Sequence, residues 1–99
     1  MAIRIQRSSG NVFTDMGFPR EEAAHLLIRT DLMIHLTALI AEHGLTQKQA
    51  AKALGVTQPR ISDLVRGRIE LFSIDTLVDM LSRLGVAVTL KTKRRSRVA

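Results

Sequence analysis

Gln58, Arg60, Ser62, Asp63 and Arg66 crowd into little more than two helical turns' worth of chain. Their chemistry is hydrogen-bond recognition and not bond making. A guanidinium grips the O6 and N7 of guanine with two parallel bonds, a side-chain amide does the same for adenine, and a carboxylate accepts from the cytosine amino group. On this reading Arg60 or Arg66 takes guanine and Gln58 takes adenine. Asp63 either accepts from cytosine or forms an exposed ion pair with Arg60 or Arg66. Catalysis lacks its parts. The chain has no Cys, Tyr or Trp, and His25, His35 and His43 all fall within one predicted helix. No nucleophile–base pair, Gly-rich phosphate loop or metal-ligand spacing is present, so no enzyme activity, cofactor or metal is expected.

The elements that must hold these side chains are spelled by TQKQAAKALGVTQPRISDLVRG, residues 46–67. Thr46 and Gln49 make a capping box, in which each side chain accepts from the other residue's backbone N–H, and Ala50, Ala51 and Leu54 give the helix they open an apolar face. Gly55 ends that helix in the left-handed conformation, Val56 is an apolar plug, and Thr57 is a second N-cap. Ile61, Leu64 and Val65, at three- and four-residue spacings, turn the next helix toward the first and leave the polar set facing outward. Pro59 sits in the first turn, where its missing N–H costs little, but it biases Gln58 away from helical dihedrals. A polar, Arg-bearing helix after a tight turn suits a DNA major groove.

This stretch resembles the helix-turn-helix of the Cro and phage-repressor (XRE) family, with Gln47, Ala51, Gly55, Ile61 and Leu64 at the family's positions and Thr57-Gln58 as the polar pair that opens its recognition helix. The resemblance implies that Gln47 and Thr57 meet phosphates and that Gln58, Arg60 and Asp63 face base edges. Ser62, Arg66 and Arg68 complete the expected DNA-binding set. It further implies a homodimer whose two recognition helices enter successive major grooves about 34 Å apart on an inverted-repeat operator.

Charge is distributed in keeping with this. The formal net charge is +6, and the excess has two locations: Lys48, Lys52, Arg60, Arg66 and Arg68 in the motif, and the tail KTKRRSRVA. A basic motif favours phosphate contact. The tail reads either as a solvated mobile end or as an arm grazing phosphate. RNA reading by the tail lacks stacking aromatics, since the three Phe fall where packing can use them. The absence of Cys fits a reducing cytoplasm. No uninterrupted apolar run reaches the roughly 18 residues of a membrane span, so a soluble, cytoplasmic chain without a membrane partner is expected.

The expected fold is mainly α: a four- to five-helix repressor-like bundle with a helix-turn-helix and a short C-terminal β-strand. Residues 1–19 form an N-terminal extension in which Ala2–Gln6 alternates like a strand, Ser8 to Asn11 reads as a turn, and Phe13, Met16 and Phe18 anchor the segment. The DNA-binding domain spans 20–92, and 93–99 is a basic flexible tail. Pro19, Glu21 and Glu22 open a helix that can run to His43, a length of about 36 Å at 1.5 Å per residue that also allows a break near Thr30-Asp31. Its apolar stripe, Leu32, Leu36, Leu39 and Ile40, is widened by Leu26, Ile28, Met33, Ile34 and Ala38. Either the helix lies deep in the bundle or its spare face meets a second copy or partner. Gly67 precedes a loop with an apolar anchor, residues 68–72, after which Ser73 caps a helix with Ile74, Leu77, Val78, Leu81 and Leu84 on its core face. Val86, Val88 and Leu90 then alternate through a strand over 86–92. Its backbone groups need a partner: Ala2–Gln6, a second subunit's strand, or another protein.

Across nearly the whole chain, this order of elements resembles a narrower XRE branch of HigA-like antitoxin regulators. That resemblance implies a small dimeric protein that binds the promoter of its own operon and masks a ribosome-dependent mRNA-cleaving toxin of the RelE/HigB type. A stand-alone XRE-type repressor with no toxin, or a chiefly toxin-binding module, is the alternative it leaves.

Overall fold

The long apolar pattern after Pro19 folds as one unbroken helix. In the computed structural model, described over residues 2–6, 12–92 and 94, α2 runs Arg20–Glu42 with no interruption at Thr30-Asp31. Thr30 accommodates the helix by donating its hydroxyl to the Leu26 carbonyl at 2.8 Å, the back-bonding available to a β-hydroxyl inside a helix. By length and composition alone this helix is long and apolar enough to cross a membrane, although polar residues interrupt its apolar ones. Its apolar residues have an inward destination: Ala23, Leu26, Leu32, Met33, Leu36, Leu39 and Ile40 are all buried. The opposite face is uncovered. Ile34 is 60% exposed, and with Ala38, Ala41 and Val65 it borders an apolar groove of about 460 Å³.

Before α2 stands α1, a single turn over Val12–Asp15 in the expected N-terminal extension, where spacing predicts no helix. Phe13 and Phe18 meet edge to face there, with ring centroids 6.0 Å apart and planes at 73°. Met16, expected beside them as an anchor, is 66% exposed, in the turn that follows α1. The expected turn at Ser8 to Asn11 lies outside the described residues, as does the tail from 93 onward apart from Arg94.

Downstream come α3 (Gln47–Leu54), α4 (Gln58–Val65), a 3₁₀ turn (Ile69–Leu71) and α5 (Ile74–Arg83). Ser73 caps α5 as expected, its Oγ accepting from the Thr76 N–H at 3.1 Å. One core joins these helices: Leu36, Leu54, Ile61, Leu64, Leu77 and Leu81 are almost wholly excluded from solvent, and Phe72, just after the 3₁₀ turn, fills its centre at 1% exposure. Met80 belongs to the same core.

The strand finds its partner within the chain. β1 (Ala2–Gln6) and β2 (Ala87–Lys91) form a two-stranded parallel sheet, with Ala2 opposite Ala87 and Gln6 opposite Lys91. The sheet makes an addition to the expected bundle with one C-terminal strand. Along β2 burial fades outward: Val86, just before the strand, is 5% exposed, Val88 is half-buried and Leu90 is 70% exposed.

Candidate nucleic-acid interface

α3 is built to stand alone. The Thr46 Oγ1 accepts from the Gln49 N–H at 3.1 Å, and the Gln49 Oε1 accepts from the Thr46 N–H at 2.9 Å, so two of the helix's orphan donors are satisfied locally. Ala50, Ala51 and Leu54 are buried as the spacing requires. At the other end Gly55 adopts φ 70°. The turn around it is tight on its outer side as well, because a Cβ at Gly55 would lie 2.9 Å from the Arg83 Nη1. Arg83 thus reaches from α5 over the helix-turn-helix joint. No local spacing announces that placement, since it arises from α5 packing against α3.

α4 begins differently. Thr57 occupies the N-cap with extended dihedrals, φ −82° and ψ 158°, yet its side chain makes no capping bond. The cause lies two and three residues on: Pro59 has no N–H to offer, and the Arg60 N–H bonds the Thr57 carbonyl at 3.1 Å. The expected cap is therefore one of position only. Gln58 lies within α4 despite Pro59 after it, so the bias toward extended backbone is overcome by the first helical turn.

Of the polar set, Gln47, Thr57, Gln58, Arg66 and Arg68 are exposed, and Ser62 and Asp63 are half-buried. Gln58, Ser62 and Arg66 recur at four-residue intervals, one strip along the outer side of α4 and its C-cap. Asp63 lies beside that strip and makes no ion pair with Arg60 or Arg66. Arg60 is turned elsewhere. Its Nη1 donates to the Leu71 carbonyl at 2.7 Å, and its guanidinium carbon stands 4.1 Å from the centre of the Phe72 ring. Val65, expected to pack toward α3, is 46% exposed and borders the groove against α2, since Ile61 and Leu64 already fill the α3-facing side. Among the described residues no group of three or more acidic or histidine side chains could hold a metal ion. His43 instead donates from Nδ1 to the Leu39 carbonyl at 2.8 Å, closing the end of α2.

A capped support helix, a glycine joint and a second helix with one polar edge facing solvent define a helix-turn-helix DNA-binding regulator. Comparison with known proteins bears on that class directly. The helix-turn-helix domain family matches residues 12–93, and the chain belongs to that family. A solved structure described as "Putative XRE Family Transcriptional Regulator" is similar at 34% identity and a TM-score of 0.70, over 79% of this chain and 90% of the other. No curated protein matches the sequence significantly.

Proposed function

We propose that the protein is a sequence-specific repressor that lays α4 in the major groove. The observation that carries the reading is the outward strip along α4 and its C-cap, the exposed Gln58 and Arg66 with the half-buried Ser62 between them, beside Asp63 and opposite the buried pair Ile61 and Leu64. Gln58 and Arg66 carry the two-pronged donor and acceptor groups that base edges accept, and Asp63 supplies an acceptor for cytosine N4. Gln47, Thr57 and Arg68 contact phosphate. The uncommitted Thr57 hydroxyl supports that role, as does the basic balance of residues 46–72. The same reading includes a homodimer on an inverted repeat, the arrangement in which two recognition helices enter successive major grooves. Its support within the chain is uncovered apolar surface, Ile34 and Val65 on the groove and Leu90 on β2.

The finer reading is autoregulation as the antitoxin of a type II pair, supported by the order of elements shared with that branch. Its partner is a RelE/HigB-like toxin encoded beside it, and co-expression with such a neighbour tests it: growth restored supports antitoxicity, and growth arrest unchanged leaves a stand-alone repressor. The repressor reading is tested by titrating the full chain against its own upstream region and a scrambled duplex at two salt concentrations. Footprinted binding that survives salt better than the scramble is expected. Equal and steeply salt-sensitive binding to both duplexes overturns it.

A further inference from the structure

We infer that Arg60 is a positioning residue for DNA recognition and reads no base itself, an inference that rests on α4 being the helix that enters the groove. Arg60 belongs to the first turn of α4 and is half-buried, unlike the exposed Gln58 and Arg66 on either side of it. Its guanidinium is held in two ways at once. One edge donates to the Leu71 carbonyl at 2.7 Å, and one face lies on the buried Phe72 ring at 4.1 Å. Charge-assisted donation and a cation over an aromatic face reinforce one another in a site partly removed from water. Gripping guanine O6 and N7 end-on uses both terminal nitrogens, and that draws Nη1 away from the Leu71 carbonyl.

The contacts tie α4 to the segment that follows it. The 3₁₀ turn Ile69–Leu71 is gripped from two sides, by Arg60 from α4 at Leu71 and by Arg29 from α2, whose Nη1 donates to the Ile69 carbonyl at 3.4 Å. Immediately before that turn stands Arg68, the exposed candidate for phosphate contact. Arg60 therefore fixes the distance between the edge that reads bases and the loop that meets the backbone. Phosphate contacts set register and base contacts set sequence, so a side chain that joins the two affects affinity for every sequence alike.

The test uses the full chain, Arg60→Ala and Arg60→Gln, titrated against the footprinted upstream duplex and a panel of single base-pair variants at several salt concentrations. Arg60→Ala is expected to weaken binding about tenfold on every duplex, equivalent to ~1.4 kcal/mol, with the salt dependence unchanged. Arg60→Gln, which keeps a donor for the Leu71 carbonyl and loses the charge, recovers part of that loss. A loss confined to one base-pair position makes Arg60 a reader and overturns the inference. So does a salt slope shallower by about one, the mark of a lost phosphate contact, and so does unchanged affinity. A readout without DNA separates this from failure of the repressor reading. The Arg60 side-chain proton resonances should carry the upfield ring-current shift of the Phe72 face and lose it in Phe72→Leu. If the wild-type chain discriminates no duplex, the functional reading falls while that shift still decides the contact, its absence overturning the inference.

Discussion

Thr46 and Thr57 open helices of equal length, α3 and α4, and only the first uses its hydroxyl to cap. At Thr46 the side chain is spent on the helix itself, in a reciprocal box with Gln49. At Thr57 Pro59 withdraws one donor and the Thr57 carbonyl takes the next, so the hydroxyl stays outside the helix's own bonding. The start of α4 is held by tertiary means, Ile61 in the core and Arg60 on the Leu71 carbonyl. The same residue type at the same helical position thus serves stability in one helix and remains available to a ligand in the other.

The largest effect comes from removing what both helices share. Ile61 is 0% exposed, and Ile61→Ala is expected to lower the unfolding free energy by about 2–5 kcal/mol in urea titration. A loss well below ~1 kcal/mol would mean that α4 does not depend on the core, and the contrast with α3 would collapse. The joint comes next. At Gly55, with φ 70°, substitution by Ala forces an L-residue into the left-handed region, a cost of about 1–2 kcal/mol readable as a lowered urea midpoint. The displaced neighbour is the mobile end of Arg83, which adds little by moving.

The two threonines test the comparison itself. Thr46→Ala should cost ~1 kcal/mol of stability. Thr57→Ala should change stability by no more than ~0.5 kcal/mol while weakening operator binding. Equal stability losses at the two sites would show that Thr57 caps after all. The smallest effect sharpens the cause. In a Pro59→Ala background the N–H missing from α4 returns, and Thr57→Ala there should cost ~0.5–1 kcal/mol more than in the wild type, measured as a double-mutant coupling. No coupling would remove Pro59 from the explanation.

What the sequence made legible follows the range of the forces involved. The capping box, the glycine ends, the buried faces of α3 and α5 and the outward strip of α4 depend on residues within four positions of one another, and all stand where spacing placed them. Arg60 shows where such reasoning stops. Its polar type and helical phase suited an outward reader, but its destination is set by a carbonyl eleven residues on and a ring beside it. Val65 likewise carries an apolar signal that periodicity assigns to the core, and only the packing of α2 beside α4 reveals it facing a groove. The β1–β2 pairing was one of three arrangements that alternation allowed. Short runs do not encode a partner, and the choice is made by the helical body that brings both strands together.

The parallel pairing of β1 with β2 has a consequence for the order in which the molecule is made. Ala2–Gln6 leaves the ribosome before the helices and Ala87–Lys91 after them, so every helix between the two strands has been synthesised before the sheet can close. Contacts of such long sequence separation are slow to form because the intervening chain must already be organised. Until then the nascent chain carries β1 without its partner, a template for stray pairing with other chains. Sheet closure therefore waits on every helix between the strands, and a chain cut short before Ala87 carries β1 with no β2 to pair with.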